Sequence, residues 1–91
     1  PLFPFQPAAH AWRLSDLHEI STGRSVRVAV VDSMVDLAHP GLAGQVVVSE
    51  NFVSGRPGVA EQHGTGVAGI IAARADNGVG IAGVAPQARL M

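Results

Sequence analysis

The chain has 91 residues, 47% of them hydrophobic and 14% charged, with a formal net charge of −1 and no cysteine. That composition is too apolar for a disordered segment, yet no apolar run reaches the roughly 18 residues that suggest a membrane span. Its arginines, Arg13, Arg24, Arg27, Arg56, Arg74 and Arg89, are scattered rather than clustered, so neither nucleic acid nor a membrane is expected as a partner, and the lack of cysteine excludes a disulfide framework and thiolate chemistry.

The length suits one small domain or part of one. Pro1 is not an initiator methionine, and no basic segment with an apolar core follows it, which leads us to expect that any signal or propeptide has been removed. Residues 1–25 open with the proline-broken PLFPFQP. In the stretch that follows, Ala8, Ala11, Trp12, Leu14, Leu17 and Ile20 recur at helical spacing before Ser21, Thr22 and Gly23. This predicts an amino-terminal arm with one or two short helices, Trp12, Leu14 and Leu17 packing onto the domain. Residues 26–31, VRVAVV, form a β-branched run after a turn-like STGRS, as expected of a parallel strand buried on both faces. A loop, DSMVDLAHPGLAG, leads to a second strand candidate at 45–49, and a glycine- and proline-containing loop covers 53–62. The period then changes: Val67, Ile70, Ile71 and Arg74 predict a helix over about 64–75, stopped by Asn77-Gly78. The glycine-rich GVGIAGVAP follows, and ARLM reads as the opening of another strand.

Two glycine patterns spell GxGxxG, at Gly64, Gly66 and Gly69 and at Gly78, Gly80 and Gly83. Neither has the context of a dinucleotide site, because the first follows a polar loop and no acidic residue stands about 20 positions downstream of either. No cofactor is expected. The chemically informative pair is Asp32, immediately after the strand, and His63, at the start of the helix. In an open α/β sheet functional groups gather beyond the carboxyl ends of strands. A carboxylate there can accept the Nδ1 proton of a histidine and stabilise the imidazolium that forms when Nε2 takes a proton from a nucleophile. Taken alone, each residue also fits a turn or cap role.

VAVVDSMVDLAHPGL at 28–42 resembles the aspartate motif of the subtilisin-like serine proteases, and HGTGVAGIIAA at 63–73 resembles their histidine motif. NGVGIAGVAP at 77–86 resembles the glycine-rich stretch that follows the histidine helix in that family. The resemblance covers about two-thirds of the chain, in family order. It implies an α/β, subtilisin-like three-layer fold with a mainly parallel sheet, present here only as its amino-terminal portion. Residues 1–25 would then be an arm, and residues 26–91 the amino-terminal part of a peptidase domain. Asp32 and His63 are the implied catalytic residues. The implied activity is a serine-type endopeptidase, its serine and oxyanion-hole asparagine supplied by a carboxyl-terminal part, so that these 91 residues alone are expected to be inactive. Ser15, Ser21, Ser25, Ser33, Ser49 and Ser54 all precede His63, and none lies in a motif like that of the nucleophile. The implied partners are a polypeptide substrate, the remainder of the domain and a propeptide, with self-association of the fragment through uncovered edges and apolar faces. Secretion or a periplasmic location is the family expectation.

Departures from the pattern carry expectations of their own. Met34 stands where the motif has glycine, which predicts an altered turn beside the carboxylate and motivates an alternative, a non-catalytic relative used as a binding module. Gly41 stands where many relatives carry a calcium-binding aspartate, so that calcium site is not expected. Asp36 and His39 read as turn residues rather than catalytic ones. His10 and His18 show no paired spacing for a metal.

Overall fold

The computed structural model describes residues 6–52, 61–75, 77–78 and 80–91. Most of the loop expected at 53–62, and residues 1–5 of the arm, lie outside them. The arm folds as two short helices, α1 (Pro7–Trp12) and α2 (Leu14–Ile20). Proline suits the first position of α1, where its missing N–H leaves nothing unpaired. The two helices are separated by Arg13, in left-handed conformation at φ 53°. The Arg13 carbonyl restarts the chain by accepting the N–H groups of Asp16 and Leu17 at 3.0 and 3.1 Å. This break overturns the expected shared face: Leu14 is fully buried, whereas Trp12 is 71% exposed and Leu17 is exposed too. The arm attaches through its polar groups. Gln6 both donates to and accepts from the backbone of Ala82, the His18 ring meets the Val84 carbonyl, and Thr22 bonds Gln87.

A parallel ladder forms the centre. Strands β1 (Arg27–Val28) and β2 (Arg89–Leu90) pair Arg27 with Arg89 and Val28 with Leu90. Hydrogen bonds continue this pairing from Val26 to Val30, through Arg89 N–H to Val26 O, Met91 N–H to Val28 O and Val30 N–H to Met91 O. On the other side of β2, Gln45–Val47 makes the same kind of contact through an isolated bridge between Val46 and Leu90. Within these 91 residues the regular strand expected over 26–31 is limited to Arg27–Val28, with ladder bonds from Val26 to Val30. The strand expected over 45–49 is reduced to that bridge. Burial on both faces is also corrected. Val28 and Val30 pack inward, while Arg27, Ala29 and Val31 face outward and are exposed, Val31 by 98%.

Helix α3 (Gln62–Ala72) lies against the inner face. Ala68 and Ala72 on the helix meet Leu42 and Leu90, with Val28, Val30, Val35, Val46 and Ile71 around them. Small side chains on α3 let it approach the sheet closely. The helix begins two residues before the expected position and ends three earlier, because the GVAP segment caps it. Gly83, Val84 and Ala85 donate their N–H groups to the carbonyls of Ala73, Ile70 and Ile71. An added Cβ on Gly83 would lie 2.5 Å from the Ala73 nitrogen, so this close backbone approach requires glycine. Asn77, expected at the helix exit, instead donates from Nδ2 to the Pro40 carbonyl at 3.0 Å. The buried Gln45 joins the layers: its Nε2 donates to the Ala72 and Pro86 carbonyls and its Oε1 accepts from Arg89. Among the described residues no helix is long and apolar enough to cross a membrane.

Candidate active site

Asp32 leaves the carboxyl end of the β1 segment, and His63 is the second residue of α3. The fold brings them together across 31 residues of sequence, His63 Nδ1 standing 2.9 Å from Asp32 Oδ1. The same carboxylate oxygen accepts the Ser33 N–H at 2.6 Å. These contacts hold the Asp32 carboxyl below its ordinary range, the Ser33 backbone N–H contributing most and the His63 ring next. An ionised carboxylate only accepts, so the imidazole proton sits on Nδ1 and the neutral ring keeps its lone pair on Nε2. The Asp32 side chain is 21% exposed and the His63 side chain 75% exposed. The pair is thus formed but open to solvent.

The segments carrying the two residues are fastened to each other beyond that contact. Glu61 N–H donates to the Met34 carbonyl at 2.8 Å, Gly64 N–H donates to Ser33 Oγ at 2.8 Å, and Asp36 N–H donates to Thr65 Oγ1 at 2.9 Å. Gly64 is what lets them meet. An added Cβ there would fall 2.7 Å from Ser33 Oγ and closer still to the Ser33 carbonyl oxygen. Sequence reasoning singled out neither Thr65 nor the Ser33 hydroxyl. The available signal was a pair of hydroxyl residues flanking the aspartate and the histidine.

Met34 sits just after the carboxylate without backbone strain. Among the described non-glycine residues, positive φ occurs only at Arg13 and Ser25, so the Met34 backbone adopts a conformation open to any L residue. Asp36 and His39 serve the following loop: Asp36 Oδ1 accepts the Ala38 N–H, and His39 Nδ1 accepts the Gly41 N–H. Among the described residues no three His, Asp or Glu side chains gather closely enough to hold a metal ion. A cavity of about 280 Å³, lined by Val31, Asp32, Met34, Phe52 and Ala68 among others, opens beside the carboxylate.

A model described as the subtilase family matches residues 23–91, a stretch that takes in both Asp32 and His63. The chain belongs to the subtilase family. It is 42% identical over 84 residues to a thermophilic serine proteinase of Bacillus sp. (strain AK1), covering 90% of this chain and 20% of that one. It is 44% identical over 75 residues to the major intracellular serine protease of Bacillus subtilis (strain 168), covering 76% and 23%. It is 47% identical over 76 residues to an extracellular serine protease of Aeromonas sobria, covering 75% and 12%. The chain therefore spans at most about a quarter of the length of these subtilases. Because their names include both an intracellular and an extracellular enzyme, family membership does not fix a compartment, and the expectation of secretion is not carried further.

Proposed function

We propose that residues 26–91 are the amino-terminal portion of a serine-type endopeptidase domain of the three-layer subtilisin kind, preceded by an arm at 1–25, with Asp32 and His63 as two members of its catalytic triad. The observation that carries this reading is the 2.9 Å contact between Asp32 Oδ1 and His63 Nδ1 at a strand end and a helix start. Asp32 fixes the tautomer and orientation of the ring. His63 Nε2 takes the proton of a serine hydroxyl as that oxygen attacks the scissile carbonyl, and then delivers it to the leaving amine.

The attacking serine comes from outside these 91 residues. Ser33, the serine next to the pair, is already committed, its Oγ accepting the Gly64 N–H and its backbone N–H donated to the Asp32 carboxylate. These residues alone are inactive on this reading, and the part of the protein that supplies the serine and the oxyanion donors is their first partner. A polypeptide substrate and a propeptide are the others. The reading includes no calcium site at Gly41, because glycine brings no carboxylate.

The test is labelling of the full-length protein with a fluorophosphonate probe, with His63→Ala as control. Labelling of wild type that is lost in the variant is the expected result. Folded full-length wild type that resists the probe overturns the reading in favour of a non-catalytic binding module.

A further inference from the structure

We propose that Thr65 and Ser33 are positioning residues whose hydroxyls set the spacing of Asp32 and His63, an inference that rests on the catalytic reading above.

The physical argument starts at the helix terminus. The first N–H groups of an α-helix have no partner within the helix, and an N-cap side chain usually accepts one from the third helical residue. The N-cap of α3 is Glu61, whose side chain makes no such bond. The third helical residue is Gly64, and its N–H goes instead to Ser33 Oγ at 2.8 Å. The cap of α3 is thus supplied from 31 residues away, by the neighbour of Asp32. Ser33 also donates its backbone N–H to the Asp32 carboxylate at 2.6 Å. One residue therefore grips the helix start and the carboxylate at once.

Thr65 closes the other end of the loop. Its Oγ1 accepts the Asp36 N–H at 2.9 Å, tying the chain four residues after Asp32 to the helix two residues after His63. Between these hydroxyl contacts the Glu61 N–H holds the Met34 carbonyl. Backbone and hydroxyl bonds then alternate along the two segments, and neither segment can slide without breaking several of them. The Asp32–His63 contact lies at the Asp32 end of these bonds, with the His63 side chain 75% exposed. Solvent weakens an exposed pair of this kind, so its spacing comes from the flanking bonds more than from its own attraction.

The test uses the full-length protein carrying Ser33→Ala, Thr65→Val or Thr65→Ser. Loss of the Thr65 hydroxyl should lower kcat by about ten- to a hundredfold, as expected for a displacement of about 1 Å at the reacting groups, with KM changed less than about twofold. Ser33→Ala should act in the same direction. Thr65→Ser, which keeps the hydroxyl, should restore most of kcat. The Nδ1–H proton signal of His63 should be resolved in wild type and Thr65→Ser, and broadened or lost in Thr65→Val and Ser33→Ala. Variants that stay folded by thermal unfolding yet keep wild-type kcat and an unchanged signal overturn the inference while leaving the catalytic reading intact. If the wild type turns out to have no turnover, the catalytic reading fails, and the imidazole signal still decides the clamp: its survival in both hydroxyl-deleting variants overturns it.

Discussion

Replacing Gly64 by alanine puts the geometry of the site under direct strain. The new Cβ would sit 2.7 Å from Ser33 Oγ, 2.9 Å from the Ser33 carbonyl carbon and closer still to its oxygen. Relieving the overlap moves the Ser33 peptide by about 1 Å, and overpacking of this kind costs about 1–3 kcal/mol. The displaced Ser33 also gives up its cap on the Gly64 N–H, worth about 1 kcal/mol, while the exchange of glycine for alanine in a helix returns a similar amount. A net destabilisation of about 1–3 kcal/mol remains. Gly66 and Gly69 lie on the same helix, with no atom of the described residues within 4 Å of an added Cβ. Alanine at either should stabilise by about 0.5–1 kcal/mol. Urea unfolding of the full-length protein, followed by circular dichroism, separates these outcomes. Gly64→Ala should unfold at lower urea than wild type, and Gly66→Ala and Gly69→Ala at higher. A Gly64→Ala midpoint equal to that of Gly66→Ala would refute the close approach of the aspartate loop to α3.

Other consequences follow from single side chains. Asp32 has a lowered native pKa, so the stability it confers is complete above about pH 5 and is lost as pH falls through that native value. The difference in urea midpoint between wild type and Asp32→Asn should therefore shrink toward about pH 2, and a difference constant with pH would contradict the assigned contacts. Gln45→Leu strips hydrogen bonds from the Ala72 and Pro86 carbonyls and should cost about 2–3 kcal/mol in the same unfolding assay, a loss below about 0.5 kcal/mol arguing that these bonds do little. The isolated 91 residues, with Val31 and Phe52 almost wholly exposed, should sediment as associated species. Exchanging Val31 and Phe52 for serine should lower the average mass, whereas a monodisperse wild-type fragment at high concentration would count against association.

The two candidate catalytic residues were legible because each sits at a change of pattern. Asp32 ends a β-branched run, and His63 opens a stretch with helical period. Elements with strong local signals were legible for the same reason: both arm helices, α3 and the parallel strand at Arg89. What stayed hidden depends on chain segments far apart in sequence. The end of α3 is set by N–H groups of Gly83, Val84 and Ala85, not by the local stop at Asn77-Gly78, and its start is capped by Ser33 from another loop. The exposure of Trp12 follows from one left-handed residue, Arg13, which no composition rule requires.

Spacing and electrostatic strength are separable in this site, and the chain supplies the first without the second. The bonds between residues 33–36 and 61–65 fix where Asp32 and His63 stand, but water around a half-open pair screens the attraction that would stabilise an imidazolium. Exclusion of water strengthens every such interaction once a site is closed. The uncovered apolar surface near Asp32 consists of Val31, Phe52 and the cavity that they line with the carboxylate. On the proposed reading, the apolar groups that make the isolated 91 residues prone to associate, Val31 and Phe52, are the ones a serine-bearing part would cover.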